Sequence, residues 1–352
     1  MRESLRIAGA YIGVVVGAGF ASGQEVLQFF TSFSWYGFLG VVVAMVLFMF
    51  LGAQILQIGS QLQTQSHEQF FYHLYGKVLG RIVDIIIVFF LFGVTTVMIA
   101  GSGALFEQQF GMSSVMGSFL FTILIVVTLF LNVRDLISVI SSVTPFLMGL
   151  ILLITVYALM TSDLNSGMLE RSLEMYTPVV PSWLLGAILY VTFNIAAAVA
   201  VIAIIGGTTE RLEVARWGGV FGGIGLGVLL LLIHVAIFLN LDKLAGVALP
   251  TLFLASTISP VVGLLMAIAL LGMVFNTGVG MVYAFAARFV RSETRGFYAL
   301  CIFVSAVAFV TSLVGFTELV RTVYPLTGFV GMLLILALLF AYFRRRFIKG
   351  DG

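Results

Sequence analysis

The segment from residue 10 to residue 25 reads AYIGVVVGAGFASGQE, and it lies within an apolar run from residue 7 to residue 30. A run of this length can cross a bilayer, because a membrane helix needs about 20 apolar residues. Its glycines are crowded near the middle of the membrane, although each costs about 1 kcal/mol relative to alanine inside a helix. Gln24 and Glu25 follow them. A glutamate at that depth is costly when it faces hydrocarbon, so the segment is not an ordinary lipid-facing helix.

Two interpretations of the segment are open. Gly13, Gly17 and Gly19 resemble a small-residue face against which a neighbouring helix packs. The alternative is a discontinuous helix, unwound between Gly17 and Gly23, with free carbonyls for a cation and free amides at the start of its second half. Glu25 favours this alternative, because a carboxylate in the first turn of a half-helix complements the helix dipole and can face a polar cavity. We therefore predict an interruption between Gly17 and Gly23.

The composition of the whole chain places it in a membrane. Of 352 residues, 61% are hydrophobic and 9% are charged, and the mean hydropathy is +1.18. Soluble domains are about 45 to 50% apolar and about 25% charged. A separate catalytic or nucleic-acid-binding domain has no room beside the spans, so we expect contact with membrane lipid and none with nucleic acid. The single cysteine, Cys301, excludes an intramolecular disulfide and a cysteine-based metal cluster.

Ten apolar runs separated by polar residues predict an all-α integral membrane protein with about ten spans. They cover residues 7–30, 36–58, 82–106, 114–132, 136–160, 182–205, 217–239, 260–287, 297–315 and 318–343. The longest polar stretch leaves five spans on either side. Because five is odd, the two halves enter the membrane from opposite sides, which is the topology of an inverted repeat. The predicted units are a first repeat over 1–162, an outer linker over 163–181, a second repeat over 182–343 and a basic cytoplasmic tail over 344–352.

The basic residues predict the orientation of the chain. With both termini in the cytoplasm, only Arg171 and Lys243 fall in outer loops, whereas fourteen basic residues fall on the cytoplasmic side. This asymmetry is typical of multi-pass proteins of the bacterial cytoplasmic membrane. The fourteen are Arg2, Arg6, Lys77, Arg81, Arg134, Arg211, Arg216, Arg288, Arg291, Arg295, Arg344, Arg345, Arg346 and Lys349.

Polar residues within the sixth and eighth spans are candidates for a binding site. Phe193 and Asn194 lie at the centre of the sixth span, where Asn194 indicates either a second broken helix or a hydrogen bond to a neighbouring helix. Asn276 and Thr277 lie about 24 Å along the eighth span. Amide and hydroxyl oxygens at that depth suit a small cation such as Na⁺, although helix-to-helix hydrogen bonding would also explain them.

The tenth span begins with Glu318 and Arg321, which are three residues apart and share a helix face. An arginine one turn inside the membrane needs a partner. Glu318 can supply it locally, and Glu25 is the alternative. Glu25 is therefore expected either to pair with Arg321 in an outer gate or to bind a positively charged group of the substrate.

Taken together, the ten spans, the glycine-rich first helix and the polar pair on the eighth resemble the LeuT fold of the amino acid-polyamine-cation superfamily. Residues 10–25 are most similar to bacterial YkvI-type membrane proteins. The resemblance implies that broken first and sixth helices hold a small organic substrate, which Phe20, Ser22, Gly23, Phe193 and Asn194 would face. It also implies a cation site formed by carbonyls from Gly17 to Phe20 with Asn276 and Thr277.

Glu25 departs from the pattern of amino-acid carriers with this fold, because it puts a negative charge where a substrate carboxylate would lie. It favours a cationic or amine substrate, and it also suits a proton-coupling group.

These features predict a secondary active transporter of a small polar organic solute, driven by Na⁺ or H⁺ through alternating access. Na⁺ is the one ion the sequence suggests, and no other cofactor is expected. An enzyme is disfavoured, because the three histidines and one cysteine are scattered along the chain. A sensor that keeps the transporter fold without moving its ligand is the alternative. The sequence does not predict an oligomeric state.

Overall fold

The computed structural model describes residues 1–64, 67–130, 143–162, 176–291 and 294–348, and the described residues form α-helices, two short 3₁₀ turns and their connections. The 3₁₀ turns are Thr31–Phe33 and Leu241–Lys243. The helices are α1 (Arg2–Val15), α2 (Ala18–Ser22), α3 (Gln24–Phe29), α4 (Tyr36–Leu62), α5 (His67–Phe110), α6 (Ser114–Phe130), α7 (Val143–Thr161), α8 (Trp183–Gly207), α9 (Leu212–Phe238), α10 (Pro250–Ile258), α11 (Pro260–Phe289), α12 (Arg295–Ser312) and α13 (Phe316–Ile348).

Helices overlap all ten predicted apolar runs, with residues 131–132 and 136–142 of the fourth and fifth runs outside the described residues, and the chain is an all-α membrane protein. Within the described ranges, six helical segments are individually long and apolar enough to cross a bilayer, and α8 is a seventh when its bent halves are taken together. The other runs correspond to the broken span α1 to α3, the shorter apolar α6 and the long α13. The six segments that are individually long and apolar enough are Tyr36–Leu62, Ile86–Phe110, Thr144–Thr161, Leu212–Phe238, Pro260–Phe289 and Arg295–Ser312.

The predicted interruption of the first span is confirmed. Helix α1 ends at Val15, and Gly17 has an extended backbone with φ −98° and ψ −178°. One turn of helix follows, and Gly23 then adopts a left-handed conformation with φ 77° before α3 begins. Glycine adopts this conformation without the steric cost that a side chain brings. The glycines of the segment thus break the helix twice, at Gly17 and at Gly23.

The sixth span, α8, is bent rather than unwound. Its axis turns by 59° between Trp183–Val199 and Val201–Gly207, beyond the predicted position at its centre. The backbone stays helical through Asn194, whose side-chain amide donates to the Tyr190 carbonyl at 2.9 Å. The centre of the span has no glycine or proline to end the helix, and Asn194 is satisfied within its own turn. The predicted discontinuity of the sixth span is therefore present as a bend near its end, and only the position expected at Asn194 is corrected.

Helices α1, α4, α8 and α9 pack together through glycines. A Cβ atom on Gly219 or Gly223 of α9 would overlap the α4 backbone at Ala53 or Met49. A Cβ atom on Gly59 of α4 would likewise meet the α8 backbone. The glycine run from residue 218 to residue 227 thus lets helix backbones approach closely, which is a common way to associate membrane helices.

A second group of helices consists of α5, α6, α11 and α12, which pack on one another. Helix α13 contacts both α8 and α5 and so lies between the groups. The short helix α10 packs against α2 and α11, and it forms within the connection that precedes the eighth span. Residues 163–175 of the predicted outer linker and residues 349–352 of the predicted tail lie outside the described residues, and the division into repeats remains a prediction.

Candidate functional site

The Glu25 carboxyl group lies inside the break of the first span. Glu25 belongs to the first turn of α3 and is 3% exposed. Its carboxyl group accepts a hydrogen bond from the Tyr324 hydroxyl of α13. A Cβ atom built on Gly19 would overlap Oε1 of Glu25 and would lie 2.8 Å from the Tyr324 hydroxyl oxygen. The carboxyl group therefore fits directly against the backbone of α2, in space that only a glycine at residue 19 leaves free.

Buried oxygens without hydrogen-bond partners cluster on α3. Oε2 of Glu25 and the side-chain Oε1 atoms of Gln24 and Gln28 have none. The Gln28 amide nitrogen donates to the Thr317 carbonyl at 3.2 Å. Because a carbonyl can only accept, this bond fixes which end of the Gln28 amide is unpaired. Glu25 and Gln28 are three residues apart and share a helix face, so α3 presents acceptor atoms that lack donors toward α13.

Aromatic rings surround this polar cluster. The Tyr190 ring of α8 lies 6.2 Å from the Phe20 ring, 6.0 Å from the Phe29 ring and 5.4 Å from the Phe193 ring, measured between centroids. The Phe193 ring also stacks on the Tyr324 ring at 4.7 Å. The Tyr190 hydroxyl is buried near the Asn194 side chain. We name Phe20, Phe29, Tyr190, Phe193 and Tyr324 the aromatic shell, which brings the first, sixth and tenth spans together.

One side of the break is covered by α10. The Thr251 hydroxyl donates to the Ala21 carbonyl at 2.6 Å, and a Cβ atom on Gly23 would lie 2.9 Å from Thr251 Cγ2. The Gln108 side chain of α5 anchors α10, because it both donates to and accepts from the backbone of Leu249. These contacts hold α10 over the break.

The predicted substrate-site residues fall into two sets. Phe20, Glu25 and Phe193 meet at the aromatic shell, as described. Ser22 instead forms hydrogen bonds with the local backbone. Its hydroxyl donates to the Gly19 carbonyl at 2.8 Å and accepts from the backbone N–H of Gln24 at 3.2 Å. Ser22 also borders a small cavity, about large enough for one water molecule, with Leu270 and Val274 of α11. Gly23 contacts α10, and Asn194 is satisfied by the Tyr190 carbonyl.

The predicted cation ligands are only partly brought together. Helix α11 packs against α2, and Val274 borders the cavity beside Ser22. Thr277 is half-buried and follows Val274 by three residues on the same helix face, whereas Asn276 is exposed. Gly17 is half-buried, with open space where a Cβ atom would lie. The structure thus puts Thr277 on the face toward the break and leaves Asn276 exposed, and the cation site stays a prediction.

The expected charge pair of the tenth span is not formed. Glu318 and Arg321 are both exposed, and over the described part of the chain Arg321 makes no ion pair with Glu318 or Glu25. The residue of α13 that reaches Glu25 is Tyr324, one turn beyond Arg321. Arg321 lies one turn before Tyr324, at an exposed level of α13, so the Glu25 to Arg321 gate stays a prediction.

Sequence reasoning missed Tyr190, Gln28 and Tyr324. Each had a signal: Gln28 follows Glu25 by three residues, Tyr190 precedes Phe193 by three, and Tyr324 precedes the proline of the tenth span. His234 of α9, a solitary polar residue in an apolar run, is buried, and its Nδ1 atom lies 2.9 Å from the Thr31 hydroxyl. This bond ties α9 to the turn after α3.

Several solved membrane-protein structures share this architecture. MhsT in complex with L-phenylalanine has a TM-score of 0.62 at 17% identity, covering 94% of this chain and 88% of that one. The Eremococcus coleocola manganese transporter has a TM-score of 0.61 at 15% identity, covering 96% and 78%. The inward-facing conformation of Mhp1 has a TM-score of 0.60 at 13% identity, covering 93% and 73%. The chain is therefore a multi-pass membrane protein with the LeuT fold.

Sequence comparison gives the family. The chain is 31% identical over 340 residues to the membrane protein YkvI of Bacillus subtilis (strain 168), an alignment that covers 95% of this chain and 94% of that protein. It is 26% identical over 330 residues to the protein YyaD of the same organism, covering 93% and 94%. No family model matches the sequence. The chain belongs to the YkvI family.

Proposed function

We propose that this protein is a secondary active transporter that carries a small polar organic solute, such as an amino acid or an amine, across the bacterial cytoplasmic membrane. The observation that carries the proposal is the doubly broken first span, with a buried carboxyl group and unpaired oxygens between the two helix groups. Polar atoms without partners are costly at the centre of a membrane protein, and they mark ligand pathways. The LeuT fold, shared with a Na⁺-coupled sialic acid symporter and a manganese transporter, supports this assignment.

In this proposal the two helix groups supply alternating access. Glycine contacts make α1, α4, α8 and α9 one packed unit, and this unit moves against α5, α6, α11 and α12 about the site between them. Helix α10 closes the outer side of the site. The basic residues place both termini in the cytoplasm, and the chain consists of two inverted five-helix repeats.

The residues at the break have separate roles in this scheme. Phe20 and Phe193 contact the apolar part of the solute, and Glu25 binds its positively charged part or a coupling proton. Where Na⁺ is the coupling ion, the Thr277 hydroxyl and carbonyls at Gly17 and Phe20 are its proposed ligands, because oxygen ligands suit a hard cation.

Uptake into proteoliposomes tests the proposal. The purified protein is reconstituted and supplied with radiolabelled amino acids and amines, under an inward Na⁺ gradient or a pH gradient in either direction. We expect gradient-dependent accumulation of at least one solute, and loss of that accumulation in Glu25→Gln. Glu107→Gln, an exposed carboxylate at the end of α5, is the matched control. Saturable binding without accumulation under any gradient would instead establish the sensor.

A further inference from the structure

The surroundings of Glu25 define what its carboxyl group can bind. Helix α8 contributes Tyr190 and α13 contributes Tyr324, and both side chains are uncharged in their ordinary state. The imidazole of His234 on α9 is engaged with Thr31, and Arg321 on α13 is exposed. None of the described lysine, arginine or histidine side chains forms an ion pair with Glu25. The site therefore encloses a carboxyl group without a counter-charge.

A buried carboxylate needs either a cation or a proton. Its desolvation is unfavourable, and one hydrogen bond from the Tyr324 hydroxyl does not replace the hydration of both oxygens. Oε2 has no partner at all. The closed site is consequently stable with a neutral carboxylic acid at residue 25, or with a positively charged ligand against Oε2.

The unpaired atoms also define the class of ligand. Oε2 of Glu25 and Oε1 of Gln28 are acceptors, and the neighbouring aromatic shell consists of rings, a group that attracts cations. An ammonium group supplies several N–H donors together with the missing positive charge. A carboxylate headgroup supplies neither, and the ionised form of Glu25 repels it.

We propose that the Glu25 carboxyl group binds a proton and the ammonium group of the substrate in turn, so that the carrier exchanges one organic cation for one proton. The inference rests on the proposed transport function and names its substrate class. When the ammonium group enters, the O–H bond of the carboxylic acid breaks and its proton leaves to water on the side of entry. The carboxylate then accepts N–H hydrogen bonds. One positive charge replaces another, so each half of the cycle leaves the charge of the site unchanged.

Binding calorimetry of the purified protein tests the exchange. The probes are benzylammonium and tetramethylammonium, with benzyl alcohol as the neutral analogue and benzoate as the anionic one. Titration in buffers of different ionisation enthalpy counts the protons released. We expect about one proton released for each benzylammonium bound, at least tenfold weaker binding of benzyl alcohol and benzoate, and no proton release in Glu25→Gln. Glu107→Gln should match the wild type. Binding of either cation without proton release, or preferential binding of benzoate, would overturn the inference.

Infrared spectroscopy tests the protonated state of Glu25 independently of any ligand. At neutral pH the wild type should show a carboxylic-acid C=O band that is missing in Glu25→Gln and retained in Glu107→Gln. Thermal unfolding of each variant verifies that it is folded. Absence of the band in the folded, ligand-free wild type overturns the inference. Should uptake of a neutral or anionic solute nevertheless occur, the transport function stands while the exchange mechanism fails.

Discussion

At the scale of single residues, the site depends on the absence of a side chain at residue 19. Glu25 reaches Tyr324 only because its carboxyl group lies where a Cβ atom of residue 19 would be. A glycine beside a carboxyl group is thus as much a part of this site as the carboxyl group itself, although it contributes no polar side chain.

Gly19→Ala should expel the Glu25 carboxyl group from its position. With a methyl group at residue 19, the backbone of α2 and the Glu25 carboxyl group cannot both stay in place. We therefore expect uptake and ligand binding to fall at least tenfold while the protein remains folded. Gly9→Ala is the control, because no atom lies within 4 Å of its Cβ position and the change should leave uptake unaltered. Equal activity of the two variants in the proteoliposome assay would contradict the observed position of Glu25.

Thr277 and Asn276 give a second prediction at this scale. Thr277 lies on the face of α11 toward the break, whereas Asn276 is exposed. If the carrier uses Na⁺, Thr277→Ala should raise the Na⁺ concentration for half-maximal uptake about tenfold or more, and Asn276→Ala should change it little. The measurement is uptake against Na⁺ concentration at fixed membrane potential. A larger effect of Asn276→Ala would indicate that α11 rotates toward the break in another state.

At the scale of the helices, glycines determine how closely α4 and α9 approach. Gly219 and Gly223 contact the α4 backbone, and Gly59 and Gly206 bring α4 and α8 together in the same way. Such contacts make a rigid unit of these helices. Inside lipid the hydrophobic effect does not drive helices together, so close packing must hold them. This packing explains the glycine run of α9. The run is not a phosphate-binding loop, because it lacks the lysine that such a loop requires.

Gly219→Ala should destabilise the packed unit. The added methyl group overlaps the Ala53 backbone, and overpacking of this kind typically costs about 1 to 3 kcal/mol. We expect a lower midpoint of thermal unfolding in detergent. Gly149→Ala on α7, where no atom lies within 4 Å of the Cβ position, is the matched change and should leave the midpoint within error. An unchanged midpoint for Gly219→Ala would show that α4 and α9 are farther apart than described.

At the scale of the whole molecule, the two sides of the break differ. Thr251 and α10 close the side nearer the predicted outer surface, where Phe20 and Glu25 are buried. On the other side Gly17 is half-buried and Asn276 is exposed. With the predicted orientation, we expect the less covered side to be the one that opens toward the cytoplasm.

Cysteine labelling measures this asymmetry. The wild-type protein has one cysteine, Cys301, which is buried and gives a low background. A membrane-impermeant thiol reagent should label Asn276→Cys from the cytoplasmic side of inverted vesicles and leave Thr251→Cys unlabelled. Labelling of Asn276→Cys from the outside of intact cells would show that the chain has the opposite orientation to the predicted one. No labelling from either side would mean that residue 276 faces lipid.

The sequence alone determined where the first span breaks and that a carboxyl group lies within the break. Glycines inside a helix and a charge inside a membrane have local costs, so their positions indicate the unwound segment without knowledge of any neighbour. The sequence could not determine which side chains meet that carboxyl group. Arg321 and Tyr324 lie one turn apart on α13, and Asn276 and Thr277 are adjacent on α11. The position of α13 along its axis and the rotation of α11 about its axis are both set by packing with distant segments. They bring Tyr324 and the Thr277 face toward the break and leave Arg321 and Asn276 exposed.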